Sequence, residues 1–150
     1  RIIVAIVPAY KETESAHAEA TESHMFQARV KHAESQIFHA LDAIEIGDFD
    51  GIFSLAELDS ISLAATTMTG PKGWIYWKPE TLSIFENIRT LREGGAEAYF
   101  STDTGATVYI NTREKYVSQI SDSISDLGIE TQAWHVGGPA TILGRKEDLF

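Results

Sequence analysis

Ala98-Tyr-Phe-Ser-Thr-Asp103-Thr-Gly-Ala-Thr-Val-Tyr-Ile110 is the stretch on which the fold turns. Two apolar runs, Ala98–Ser101 and Ala106–Ile110, flank a polar tip at Asp103-Thr-Gly105. They predict two strands joined by a turn. Upstream, Pro79 suits the first position of a helix, and Leu82, Phe85, Ile88 and Leu91 recur every third residue until Gly94-Gly95 stops them. Downstream, Asn111 and Glu114 read as a capping box for a helix carrying Tyr116, Val117, Ile120, Ile124 and Leu127, closed by Gly128. Residues 129–136 alternate loosely and predict a last strand.

The chain opens on Arg1-Ile-Ile-Val-Ala-Ile-Val7, a β-branched run that reads as a buried strand stopped by Pro8. Residues 9–16 are polar without a clear period. From His17 to Gly47 the pattern is helical, with Ile37, Phe38, Leu41 and Ile44 on one face. Asp48 is a fair N-cap for a further helix, with Phe49, Ile52, Phe53 and Ala56 as its stripe, running towards Thr69. The order is strand, helices, two strands, helix, strand. That predicts an α+β fold, a ferredoxin-like split βαβ whose first crossover is enlarged by helices. Residues 1–150 read as one domain, without repeat, linker or low-complexity tract.

With 150 residues the chain is long enough for a real core. Cysteine is absent, which excludes disulfides, zinc–thiolate sites and thiol chemistry and suits a cytoplasmic setting. The net charge of −10 argues against nucleic acid, whose phosphates need clustered Lys and Arg. No apolar run approaches 18 residues, so no membrane span is expected. The chain begins within a strand and without Met, which reads as a fragment.

The polar tip has two readings. Asp103 could merely cap its own turn, with Gly105 supplying a positive φ. Alternatively the tip presents a carboxylate, hydroxyls and backbone N–H groups from a rigid support, as functional loops do. His17, His24, His32 and His39 would form a stripe on one continuous helix, but a solvated face is the simpler reading. Glu12, Glu14, Glu19 and Glu22 also read as a solvated face. Trp74, Tyr76 and Trp77 could line a pocket or pack an interior.

The segment Asn87-Ile-Arg-Thr-Leu-Arg-Glu-Gly-Gly-Ala-Glu-Ala-Tyr-Phe-Ser-Thr-Asp-Thr-Gly-Ala106 resembles the stretch of diphosphomevalonate decarboxylases, members of the GHMP superfamily, in which a helix with L-R-x-x-G leads into Y-F and the catalytic aspartate. Asp59-Ser60, Ala65-Thr66 and Pro71 resemble that family's D-S…H-A-T…P stretch. The likeness is good over residues 55–110 and diffuse elsewhere. It implies a GHMP C-terminal domain, with the N-terminal phosphate-binding half absent from this chain. It implies Asp103 as the catalytic residue, a buried anion aimed at C3. Ser101, Thr104 and Gly105 of the polar tip are the candidate substrate-binding groups beside it, and Lys72, in a Gly-Pro-Lys-Gly loop, could touch a phosphate, although an exposed turn lysine is the simpler reading.

Departures from the family pattern refine this. Ala106-Thr107 replaces P-N, Ala64 replaces the His, and Lys11-Glu-Thr-Glu-Ser15 stands where a Ser-Arg pair grips the 5-diphosphate. The resemblance therefore implies an archaeal-type branch that decarboxylates mevalonate 3,5-bisphosphate to isopentenyl phosphate. No cofactor or metal is expected for that step. The alternative is an ATP- and Mg-dependent diphosphomevalonate decarboxylase. A reading of another class is a ferredoxin-like module that binds a small metabolite or a protein. The expected partners are a small phosphorylated carboxylic acid, the N-terminal half and, as a homodimer, a second copy. The chain by itself is expected to be inactive.

Overall fold

The computed structural model describes residues 1–9 and 13–141. β1 (Ile2–Ala5), β2 (Ala98–Ser101), β3 (Val108–Thr112) and β4 (Thr131–Trp134) form one antiparallel sheet in the order β2-β3-β1-β4. This is the ferredoxin-like order, and the fold class is the one the sequence predicts. The first crossover holds four helices, α1 (Thr13–Glu22), α2 (Phe26–Glu45), α3 (Phe49–Met68) and α4 (Pro79–Glu93). The second holds a single 3₁₀ turn, Glu114–Tyr116, and α5 (Val117–Ser125). No helix among the described residues is long and apolar enough to cross a membrane.

The core forms where period-two strands meet period-3.6 helices. Ile3, Ala5, Ala98, Phe100, Val108 and Ile110 point from the sheet towards Ile84, Phe85 and Ile88 of α4 and Ile120 and Ile124 of α5. Phe85 stacks on Phe100 at 3.8 Å, and Trp77 meets Phe85 edge-on at 4.9 Å, so Trp77 is a packing residue.

Asp48 caps α3, its carboxylate accepting from the Gly51 N–H at 3.0 Å. Asp48→Ala is expected to cost about 1 kcal/mol. That would appear as a lower urea midpoint with an unchanged slope.

Several local expectations are corrected. Helix formation begins at Thr13, inside the stretch that showed no period, and residues 23–25 separate α1 from α2. α2 turns its small face, including the buried Ala43, inward, leaving Ile37, Phe38, Leu41 and Ile44 exposed. Asn111 is not an N-cap: it lies in β3, buried, opposite Ile2 and Tyr99, and α5 starts only at Val117. Positive φ among the described residues is confined to Gly47, Gly73, Gly95 and Gly128, so Gly105 does not supply one.

Candidate functional site

β2 and β3 are joined by residues 102–107, and that loop is pinned on both sides. On the incoming side the Thr102 N–H donates to Ser60 Oγ of α3 at 3.0 Å. On the outgoing side the fully buried Thr81, in the first turn of α4, donates its hydroxyl to the Ala106 carbonyl at 2.8 Å. Thr107 Oγ1 accepts from the Val7 N–H at 3.3 Å, just beyond β1. Three elements thus hold the loop that carries Asp103.

Asp103 itself is exposed, whereas the sequence reading expected a buried anion. Its neighbours Thr102 and Thr104 are buried, so the polypeptide dips inward on either side of the carboxylate. Together with Val7, Ala9, Gly105, Ala106, Thr107 and Tyr109 it lines an open cavity of about 270 Å³. Its charge reaches the buried Tyr76 hydroxyl. Burial is the main cause pushing that hydroxyl's pKa above the usual tyrosine value, and the negative charge of Asp103 raises it further. Tyr76 belongs to the aromatic run whose role the sequence left open, and it is the member that senses the tip.

The other expected site residues divide. Gly105 lines the cavity with Asp103. Thr104 is buried in the loop. The Ser101 hydroxyl is half-buried and engaged by its own sheet, accepting from Asn111 Nδ2 at 3.2 Å and donating to the Tyr109 carbonyl at 3.4 Å. That makes it a strand-pairing residue first. Lys72 does not line the cavity. Its backbone N–H donates to Glu19 Oε2 at 2.8 Å, and its ammonium lies 3.7 Å from Glu19 Oε1. Glu19 is accordingly buried, which corrects the reading of the early glutamates as one solvated face; Glu22 is exposed as expected. Lys11 and Glu12, from which the absence of a diphosphate grip was read, lie outside the described residues. His17, His24, His32 and His39 are exposed, and no group of metal ligands occurs among the described residues.

What sequence reasoning missed is the support under β2. Glu57 of α3 is buried and accepts from the Phe100 N–H at 3.3 Å, while Arg92 of α4 grips the same carboxylate at 2.5 Å. Arg92 Nε also donates to the Ala98 carbonyl at 2.8 Å, and its guanidinium lies 4.2 Å from the centre of the Tyr99 ring. Asp59 turns the other way, to Arg29 of α2 at 2.9 Å. Glu57 shares the buried face of α3 with Ser60, Ala64, Thr66 and Thr67, whereas the apolar stripe Phe49, Ile52, Phe53 and Ala56 is only half-buried, so its burial has no signature in a single sequence.

No family model matches the chain. Over its full length it is 58% identical to a phosphomevalonate decarboxylase of Haloferax volcanii and covers 47% of that protein. Among solved structures it is similar to mevalonate pyrophosphate decarboxylase from Streptococcus pyogenes, with a TM-score of 0.81 at 21% identity over 87% of this chain and 42% of that one. It is similar as well to mevalonate-3-kinase from Thermoplasma acidophilum, with a TM-score of 0.79 at 17% identity over 87% of this chain and 41% of that one. The likeness to mevalonate-pathway decarboxylases read from residues 55–110 therefore extends along the whole chain, and its α+β fold is shared with these solved structures. The chain spans about half the length of the curated relative it matches.

Proposed function

We propose that this chain supplies the catalytic carboxylate, Asp103, of an enzyme that decarboxylates a phosphorylated mevalonate with loss of a phosphate from C3. The observation that carries this reading is the pinned loop 102–107, which holds an exposed carboxylate at the wall of an open cavity. The chemistry asks for such a group. As the C3–O bond breaks, its electron pair leaves with phosphate and positive charge develops on a tertiary carbon. The bond between the carboxylate carbon and C2 then supplies the pair for the C2–C3 double bond, and CO₂ departs. A fixed anion facing C3 stabilises the charge that appears between these events, and preorganised electrostatics of this kind is usually the largest catalytic contribution.

The net charge of −10 is the wrong sign for gripping an anionic substrate unaided. The cationic and phosphate-binding groups are accordingly assigned to another half of the enzyme, matching the part of the relative that this chain does not cover. That half would also cover Asp103, which is exposed among the described residues, and so lower the dielectric around it. A homodimer is the proposed assembly, and the exposed apolar side chains of α2 are a surface it would cover.

The substrate is assigned a 5-monophosphate. Glu12-Thr13 offers no cation where a 5-diphosphate would be gripped, and the relative from Haloferax volcanii is named for phosphomevalonate. Supplied with mevalonate 3,5-bisphosphate and no ATP, the intact protein is expected to release CO₂ at least tenfold faster than with the 5-diphosphate counterpart. The relative's name also favours a second reading, in which 5-phosphomevalonate is first phosphorylated on O3 by ATP. In that route Asp103 accepts the O3 proton as the phosphate is added and must pass that proton to solvent before it faces C3 as an anion. Measuring CO₂ from 5-phosphomevalonate with and without ATP separates the two. Efficient turnover of diphosphomevalonate with ATP would overturn the monophosphate assignment.

A further inference from the structure

We infer that Ser60 is a positioning residue for Asp103, acting as the last rung of an edge that α3 and α4 build along β2 from side chains alone. The inference rests on the decarboxylase reading for its catalytic consequence, and on hydrogen bonds for its geometry. Among the described residues β2 is the outer strand of the sheet, and none of them forms a strand on its far side. An open edge of this kind leaves alternate backbone groups needing partners. Along this one the partners are side chains. Arg92 Nε serves the Ala98 carbonyl, Glu57 Oε2 serves the Phe100 N–H, and Ser60 Oγ serves the Thr102 N–H. The three served residues are two apart, which is the strand period, and the two helical acceptors are three apart, on one face of α3.

The Ser60 hydroxyl is oriented for this task. It donates its proton to the Ala56 carbonyl at 2.8 Å, one turn back along α3, so its lone pairs face the Thr102 N–H. Ser60 is itself buried, and the Thr102 N–H is the last backbone donor before Asp103. Without Ser60 Oγ, that N–H would lie in a dry place with no acceptor, and the chain would be free to turn at the residue preceding the carboxylate. Displacement of a reacting group by about 1 Å suffices for large rate losses.

The test uses the intact protein. In the unaltered protein the Thr102 amide is expected to exchange with solvent as slowly as that of Phe100. An unprotected Thr102 amide would overturn the inference before any variant is made. Ser60→Ala is expected to speed Thr102 exchange by at least tenfold and to lower kcat about tenfold with KM within twofold, measured well below its melting midpoint. Ser60→Thr keeps the hydroxyl and is expected to restore both. A Ser60→Ala protein that folds and keeps kcat within twofold overturns the positioning role. Asp103→Asn tests the decarboxylase reading separately: full activity there removes that reading and, with it, the catalytic arm of this one. If Asp103→Asn is impaired and Ser60→Ala is not, the decarboxylase reading stands and the positioning role alone fails.

Discussion

Asp103→Asn is expected to lower turnover by about 100-fold or more, as for loss of one preorganised electrostatic group, while the thermal midpoint stays almost unchanged. Asn keeps the shape and the capacity to bond within a turn, and the side chain is exposed, so the fold should lose well under about 1 kcal/mol. What disappears is the negative charge. If that charge faces C3, its removal raises the barrier without weakening the ground-state complex. An anion beside a substrate carrying a carboxylate and phosphates is repulsive before the reaction begins, so substrate affinity should hold or improve. The split between kcat and KM is therefore diagnostic, and turnover, affinity and melting belong on one preparation.

The same variant has a readout independent of catalysis. Asp103 helps hold the Tyr76 hydroxyl pKa above its usual range, because a neighbouring negative charge disfavours the phenolate. Neutralising it should bring that pKa part of the way down. Burial, the larger cause, remains, so Tyr76 should still titrate above an exposed tyrosine. Phenolate absorbance at alkaline pH checks this. A folded Asp103→Asn protein that retains most of its turnover would remove the residue from the mechanism.

How far the sequence could be read depended on whether each signal was local. Pro79 and Gly94-Gly95 bracket α4, and Asp48 caps α3, because caps and breakers act within one turn of chain. The capping box predicted at Asn111 failed for a non-local reason. β1, over 100 residues away in sequence, pairs with β3 through Thr112, and that pairing holds Asn111 in the sheet. α2 misled in a similar way. Its large apolar residues form a regular stripe, but its neighbour α3 approaches the face made of alanines, so the stripe points outward. Asp103 became legible only through the resemblance, since a D-x-G tip by itself is an ordinary turn. Glu57, Ser60 and Glu19 were illegible as supports, because their partners lie 35 to 53 positions away and nothing in their immediate sequence marks them as buried. The proposed catalytic loop is thus marked by its own residues together with the resemblance, whereas the groups that hold it still are set by the fold.

That division gives Arg92 its weight in stability. Arg92 is about 31% exposed at its side chain and Glu57 about 10%, so the pair is largely withdrawn from water. Removing one member of such a pair leaves the other charged and unpartnered, which costs about 3–5 kcal/mol when both are fully buried. Arg92 is partly wet, so about 2–4 kcal/mol is the reasonable expectation for Arg92→Ala. The Ala98 carbonyl would lose its donor and Tyr99 its cation in the same step, which argues for the upper part of that range. For a chain of this size the melting midpoint should fall by roughly 5–12 °C. Arg92→Lys restores the charge but lacks the planar fork that serves Glu57 and Ala98 together, so it should recover no more than about half the loss. Glu57→Gln keeps an oxygen for the Phe100 N–H and for Arg92, and the charge it leaves unpaired is the partly exposed guanidinium rather than the more deeply buried carboxylate, so it should be milder than Arg92→Ala. The order Arg92→Ala, then Arg92→Lys, then Glu57→Gln from most to least damaging is the signature of an uncompensated carboxylate. Were Arg92→Ala to cost less than about 1 kcal/mol in urea unfolding, the pair would be an ordinary surface contact, and the side-chain edge along β2 would rest on Ser60 and Glu57 alone.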